Sequence, residues 1–152
     1  MGLPGGTGAP VPLFGQPDAG PAGKIRVLLV DDQPLFRDVA RAMLERDGRF
    51  EVVGEASDGA RAVEIAGECA PDVVLMDINM PVMTGLEAAR RIKARHPCQN
   101  IILTSITGEG DFPGMAERAG ALAFIEKRNL STGALSAMLG PAPPPGSLPL
   151  SA

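Results

Sequence analysis

The sequence predicts an α/β fold in which a five-stranded parallel sheet is covered by helices on both faces. Apolar runs of strand length alternate with segments whose apolar residues recur at helical spacing, a pattern typical of parallel sheets. The 152-residue chain has room for one such domain. We place it at residues 24–139. Gly and Pro supply 12 of the first 23 residues and 7 of the 13 from Gly140 onward, so we expect residues 1–23 and 140–152 to be disordered.

The first half of the domain predicts two strands and two helices. The apolar run at residues 24–30 is typical of a strand buried on both faces. In the following helix Pro34 suits the first turn, Asp32 is a plausible N-cap, and the helix continues to about Arg46. Residues 50–54 predict the second strand and residues 60–68 the second helix. The apolar residues at helical spacing are Leu35, Val39, Ala42 and Met43 in the first helix, and Ala62, Ile65, Ala66 and Cys69 in the second.

The second half predicts three strands and three helices. Residues 72–76 form the third strand, and a loop leads to a helix at residues 86–95 whose inner face is Leu86, Ala89 and Ile92. Residues 100–103 and 122–125 form the last two strands, and Ser131 caps the last helix. Three glycines and a proline occupy the entry to the fourth helix. We therefore expect only residues 115–118, extended back to Phe112, to be helical there, as a short and mobile element.

Polar residues follow four of these predicted strands. They are Asp31 and Asp32, Asp77, Thr104 and Lys127. In an open parallel sheet the ligand crevice lies at the carboxyl ends of the strands, so residues far apart in sequence meet there. The sequence therefore predicts one site at this edge that contains three carboxylates, a hydroxyl and an ammonium group.

Three carboxylates at one site need a positive partner. Each pair separated by about 4 Å repels by about 4 kcal/mol at an effective dielectric constant of about 20. Mg²⁺ suits an all-oxygen site and also recruits phosphate oxygens. One Mg²⁺ and Lys127 together balance three ionised carboxylates, so the site is able to accept an anionic phosphoryl group. Asp77, at the end of the central strand, is the best candidate for a nucleophilic carboxylate.

The order and spacing of these motifs resemble the receiver domain of two-component response regulators. The resemblance runs from about Lys24 to Leu139 and is highly specific as a set. Its motifs are Val-Asp31-Asp32-Gln-Pro, Leu-Met-Asp77-Ile-Asn79-Met-Pro81, Gly85-Leu-Glu, Leu-Thr104-Ser, and Ala-Gly120-Ala followed by Phe124-Ile-Glu-Lys127. The resemblance implies a flavodoxin-like doubly wound (βα)5 fold with strand order 2-1-3-4-5.

The resemblance also implies a role for each site residue. Asp77 would accept a phosphoryl group from a histidine kinase. Asp32 would bind Mg²⁺ directly, and Asp31 mainly through water. Asn79 would bind the ion through its backbone carbonyl. Thr104 would form a hydrogen bond with the phosphoryl group, and Lys127 would pair with it.

The same resemblance implies a switch at Phe124, whose ring turns inward when Thr104 moves. Phosphorylation would then shift the face made by the fourth helix, the fifth strand and the last helix, which binds a downstream protein. Three features depart from the usual pattern. Arg128 follows the lysine where many receivers have Pro, and the entry to the fourth helix is rich in glycine. Only 13 residues follow Leu139, too few for a helix-turn-helix. We therefore expect a stand-alone receiver, similar to those of the helix-turn-helix subfamily without their output domain.

Composition argues against several other classes of protein. Cys69, Cys98 and the single histidine, His96, have no metal-ligand spacing. A net charge of −4 without a basic run argues against direct DNA binding. The first 23 residues do not resemble a signal peptide, and no run is long enough to span a membrane. We expect a cytoplasmic, non-enzymatic protein that is a monomer or weak dimer.

Simpler interpretations of the single residues remain open. The Asp31–Asp32 pair is also compatible with a solvated helix cap, and Thr104 with an ordinary residue at a strand end. Lys127 is compatible with a surface lysine, and Phe124 with a core residue that has no switching role. A haloacid-dehalogenase-like phosphatase needs Asp-x-Asp after the first strand, which is absent, and a flavodoxin would have its flavin phosphate repelled by the anionic first loop. The main alternatives are a receiver-like interaction module that works without phosphorylation and a regulator that lost its DNA-binding half.

Overall fold

A computed structural model describes residues 23–108 and 110–140. Most of the two predicted disordered segments lies outside these ranges. Within them the chain forms five strands and five α-helices in alternation, as predicted. The strands are β1 (Ile25–Val30), β2 (Phe50–Ala56), β3 (Val73–Asp77), β4 (Asn100–Ser105) and β5 (Ala123–Glu126); the helices are α1 (Pro34–Arg46), α2 (Gly59–Cys69), α3 (Gly85–Arg95), α4 (Phe112–Arg118) and α5 (Thr132–Leu139). A short 3₁₀ turn at Lys127–Asn129 joins β5 to α5.

The five strands form one parallel sheet in the order β2-β1-β3-β4-β5. This is the predicted 2-1-3-4-5 order of a flavodoxin-like fold. The register sets Asp77 at the end of β3 beside Thr104 of β4, and Ser105 beside Glu126 of β5. The carboxyl ends of all five strands therefore lie at one edge of the sheet.

The sheet is buried on both faces, which explains why its central strands are continuous apolar runs. In β1, Leu28 and Val30 pack in a core with α2, α3 and α4. The alternate residues Val27 and Leu29 pack in a second core with α1 and α5. Side chains of a strand point to opposite faces in turn, so one strand serves both cores.

The N-cap predicted for α1 is wrong, and the apolar residues noted at helical spacing are mostly not the ones that face the core. Leu35 and Val39 are exposed by 76% and 59%, and the residues buried against the sheet are Ala40 and Leu44, with Phe36 packed beside them. Two apolar stripes at helical spacing run along this helix, and the other stripe faces the core. The N-cap is Gln33, which makes no side-chain capping bond. It is not Asp32, whose carboxylate belongs to an acidic cluster described below.

The remaining helices agree closely with the sequence patterns. Leu86, Ala89 and Ile92 form the buried face of α3, and Ser131 caps α5 by accepting the N–H of Ala134. Helix α4 is short, as its glycines and proline predicted. No helix in the described ranges combines the length and apolar character needed to cross a membrane.

Candidate functional site

The carboxyl edge of the sheet carries the predicted acidic cluster. Asp31 follows β1 directly and Asp77 is the last residue of β3. Each of Asp31, Asp32 and Asp77 places one carboxylate oxygen within 4.8 Å of the other two. Asp31 and Asp77 are buried, with 2% and 4% of their surface exposed, and Asp32 is partly exposed. The cluster is therefore open to solvent on the side of Asp32.

Lys127 supplies the positive charge of this cluster. Its ammonium nitrogen lies 2.7 Å from Asp31 Oδ2 and 3.6 Å from Asp77 Oδ2. Only 11% of its side chain is exposed. The same nitrogen lies 4.4 Å from the centre of the Phe36 ring on α1, within the range of a cation–π contact. The lysine thus joins the ends of β1, β3 and β5 to the first helix.

The carboxyl group of Asp77 has an unusual proton affinity. Burial raises its pKa to about 6, helped by the neighbouring charges of Asp31 and Asp32. The Lys127 ammonium and the N–H of Asn79 act in the opposite direction, but they do not cancel the effect of burial. Asp77 therefore takes up a proton at a higher pH than an ordinary aspartate does.

The loop between β3 and α3 folds back over the end of β3. The N–H of Asn79 donates to Asp77 Oδ1 at 3.2 Å, and the N–H of Ile78 donates to the carbonyl of Thr104 at 2.8 Å. At Gly85 the chain passes so close to Asp77 that a Cβ atom would lie 2.2 Å from the Asp77 carbonyl oxygen. A glycine is required there, which accounts for the Gly85 motif in the sequence.

Two hydroxyl residues end β4. Thr104 and Ser105 are 1% and 0% exposed, and Thr104 is the strand neighbour of Asp77. Ser105 Oγ accepts a hydrogen bond from the Asn79 side-chain amide at 3.0 Å. On β5, Phe124 is half-buried, and its ring centre lies 5.7 Å from that of Phe112 on α4. The ring of Phe124 thus joins β5 to α4.

The donor set fits a hard divalent cation such as Mg²⁺. The acidic cluster offers oxygen ligands alone, which Mg²⁺ prefers. Asp31 Oδ2 is buried, and the Lys127 ammonium lies 2.7 Å from it. A carboxylate oxygen carries two lone pairs, so this contact leaves one of them for a cation.

The structure brings together all the residues that the sequence placed at the carboxyl edge. Asp31, Asp32, Asp77 and Lys127 form one cluster, Thr104 is adjacent to Asp77, and Asn79 contacts the carboxylate of Asp77. Phe124 packs against Phe112 of α4.

Sequence reasoning missed three contributors to the site. Phe36 lies over Lys127, Ser105 holds Asn79, and Arg37 donates through Nη1 to the carbonyl of Asp31 while pairing with Glu55 of β2. A signal existed for Phe36, because Phe36, Ala40 and Leu44 form a second apolar stripe at a spacing of four. No local pattern distinguishes Ser105 from other residues at strand ends.

Fold and site together define a doubly wound α/β protein with an acidic, lysine-paired site at the carboxyl edge of its sheet. The family model of the response regulator receiver domain matches residues 27–139. The chain belongs to this family, whose members switch on phosphorylation in two-component signalling and bind Mg²⁺ in their acidic site.

Relatives with this domain differ in their outputs. The chain is 41% identical over 122 residues to a protein-glutamate methylesterase/protein-glutamine glutaminase of Pyrococcus horikoshii, a match covering 80% of this chain and 31% of that protein. It is 36% identical over 104 residues to the transcriptional regulatory protein DegU of Brevibacillus brevis, covering 68% of this chain and 44% of DegU. The chain thus spans less than half the length of these relatives.

A solved structure confirms the fold. The receiver domain of the response regulator NarL from Mycobacterium tuberculosis superposes with a TM-score of 0.71 at 34% identity, covering 78% of this chain and 98% of that one. The family model that matches this chain is that of the receiver domain, and the methylesterase match covers 31% of that relative.

Proposed function

We propose that this chain is a phosphorylation-dependent receiver that takes a phosphoryl group from a histidine kinase onto Asp77. The observation that carries the proposal is the acidic cluster with the Lys127 ammonium 3.6 Å from Asp77. Three carboxylates gathered at a buried edge cost free energy without a cation and a ligand to use them. Such a cost is typical of functional sites.

Asp31, Asp32 and Asp77 would hold Mg²⁺, together with the backbone carbonyl of Asn79. When bound, the ion neutralises the cluster and stabilises negative charge on the phosphoryl oxygens. The added positive charge would lower the pKa that burial raised, so Asp77 would stay ionised to a lower pH.

In the transfer step a carboxylate oxygen of Asp77 attacks the phosphorus of the donor phosphohistidine. The new O–P bond forms while the N–P bond of the donor breaks. The electron pair of that bond stays on the imidazole nitrogen, so the group moves between proteins without a net oxidation or a lost atom. Acetyl phosphate would donate in the same way, with acetate as the leaving group.

Lys127 and Thr104 would receive the transferred group. The Lys127 ammonium already contacts Asp77 and would pair with a phosphoryl oxygen, which bears charge that a free carboxylate lacks. Thr104, the strand neighbour of Asp77, would donate its hydroxyl to another phosphoryl oxygen. Both contacts differ between the free and phosphorylated states, and this difference is what shifts a conformational equilibrium.

The readout would be the face made by α4, β5 and α5. Movement of Thr104 toward the phosphoryl group would open space for the half-buried ring of Phe124 to turn inward. That ring packs against Phe112, so its movement would be transmitted to α4. A downstream protein would bind this face, with the chain acting in the cytoplasm as a monomer or weak dimer and without contacting DNA itself.

Labelling with acetyl phosphate tests the proposal. Wild-type protein incubated with Mg²⁺ should gain an acid-stable, hydroxylamine-labile phosphoryl group. Asp77→Asn should gain none, and chelation of Mg²⁺ should abolish labelling of the wild type. If the wild type binds Mg²⁺ but takes no label from acetyl phosphate or a phosphorylated kinase, the protein is instead a receiver-shaped interaction module.

A further inference from the structure

Ser105 is a fully buried hydroxyl residue next to Thr104, with no role in the function proposed above. It ends β4, where 0% of its surface is exposed. Its Oγ accepts a hydrogen bond of 3.0 Å from the side-chain amide of Asn79, 26 residues earlier in the chain. Asn79 is exposed, so this hydrogen bond joins the buried end of β4 to a residue of a surface loop.

We propose that Ser105 is a positioning residue of the phosphoacceptor site, acting through this hydrogen bond to Asn79. The inference rests on the proposed function, because Asn79 is the residue whose backbone carbonyl would bind Mg²⁺. Its backbone N–H donates to Asp77 Oδ1 at 3.2 Å. The orientation of the Asn79 peptide units therefore sets both the rotamer of the Asp77 carboxylate and the direction of the carbonyl.

Asn79 lies at the start of a loop whose backbone hydrogen bonds involve Ile78, Pro81 and Gly85. Ile78 is anchored to the Thr104 carbonyl, and Gly85 donates its N–H to the carbonyl of Ile78 at 2.9 Å. Between them Val82 is fully exposed and has a φ of 72°, a left-handed conformation that is unfavourable for a β-branched residue. The bond from the Asn79 side chain to Ser105 adds a second link from this strained loop to β4, next to the bond of Ile78.

This bond acts on geometry more than on overall stability. If the Ser105 hydroxyl is removed, the exposed Asn79 amide turns to water and keeps a hydrogen-bond partner. Loss of a neutral hydrogen bond of this kind costs about 1 kcal/mol of folding free energy. Residues that orient metal ligands affect metal affinity more strongly, typically by about 10-fold to 100-fold.

The test compares Mg²⁺ affinity in Ser105→Ala, Asn79→Ala and the double variant, using calorimetry or amide shifts in NMR. Ser105→Ala should weaken Mg²⁺ binding about 10-fold while the variant stays folded. Ser105→Cys, which keeps a similar volume but accepts hydrogen bonds weakly, should weaken binding in the same direction. Ser57→Ala serves as the matched control, because Ser57 is an exposed serine just after β2 at the same edge of the sheet.

The double variant decides whether Ser105 acts through Asn79. Its Mg²⁺ affinity should equal that of Asn79→Ala alone. Two results would overturn the inference and leave the proposed function intact. One is an unchanged Mg²⁺ affinity in Ser105→Ala. The other is that removing the Ser105 hydroxyl lowers Mg²⁺ affinity by the same factor whether the Asn79 side chain is present or has been removed. A wild-type protein that binds no Mg²⁺ would overturn both.

Discussion

The Lys127 ammonium lies over the face of the Phe36 ring, 4.4 Å from its centre. This contact joins α1 to the end of β5, and it orients the lysine between Asp31 and Asp77. A cation–π contact in a partly desolvated setting is worth about 1 to 2 kcal/mol. The ring is therefore part of the electrostatic balance of the site as well as of the core.

We expect the Phe36 ring to stabilise the fold partly through its cation–π contact with Lys127, in addition to its packing. Phe36→Leu should lower the free energy of unfolding by about 1 kcal/mol more than Phe36→Tyr, which keeps an aromatic face. Urea denaturation in Mg²⁺-free buffer measures the difference. Repeating the pair in a Lys127→Met background is the control. In the Lys127→Met background the difference between Phe36→Leu and Phe36→Tyr should largely disappear. If the difference persists, Phe36→Leu has lost packing alone.

Removal of the ammonium group should destabilise the metal-free protein. Lys127→Met leaves the buried Asp31 and Asp77 without their positive partner, so unfolding should become easier by about 3 kcal/mol. Mg²⁺ should restore part of this loss, which a series of denaturation curves at rising Mg²⁺ would reveal. Arg128→Gln is the control, because that neighbouring side chain is 78% exposed. Similar losses in the two variants would contradict the account.

The raised pKa of Asp77 predicts a pH dependence of stability. Its carboxyl has a pKa of about 6 in the fold, above the ordinary 3.8, so the folded protein holds this proton more tightly than the unfolded chain. The contribution of this group is therefore most favourable at low pH and is lost as pH rises through about 6. Asp77→Asn should stabilise the metal-free protein at pH 7 by about 1 to 2 kcal/mol.

Denaturation curves from pH 4 to pH 7 check this sign. Asp77→Asn should remove the decline that Asp77 causes over that window, and saturating Mg²⁺ should flatten it in the wild type. Asp38→Asn, an exposed position on α1, should leave the decline unchanged. A destabilised Asp77→Asn at pH 7 would show that the carboxylate is well solvated or fully paired.

The close approach at Gly85 predicts a steric requirement. In Gly85→Ala the new Cβ would lie 2.2 Å from the Asp77 carbonyl oxygen, so the loop or the end of β3 must shift. We expect a loss of about 1 to 3 kcal/mol and slower labelling of Asp77. Gly67→Ala is the matched control, because its Cβ would meet only His96 Nε2 at 3.7 Å in α2. It should stabilise the protein by up to about 1 kcal/mol.

Much of this organisation follows from the sequence because parallel strands share one geometry. The apolar runs before Asp31, Asp77 and Thr104 identify buried strands, and the carboxyl ends of such strands meet at one edge. An error of a residue or two in a strand bound leaves these residues at the same edge. Their meeting there can be expected without knowing any side-chain contact.

The contacts that tune the site were not predictable in this way. Helix α1 carries two apolar stripes, and only its packing on the sheet shows that Phe36 faces inward while Leu35 faces solvent. The bond between Asn79 and Ser105 depends on the register of β3 against β4 and on the path of a loop. Periodicity specifies neither.

The most direct test of the central claim is to map the phosphorylated residue. After acetyl phosphate treatment, borohydride reduction converts an aspartyl phosphate to homoserine, which mass spectrometry of peptides locates. The account predicts homoserine at position 77 alone, formed only when Mg²⁺ is present. A phosphoryl group on His96, homoserine at Asp31 or Asp32, or labelling of Asp77 that does not need a divalent cation would contradict it.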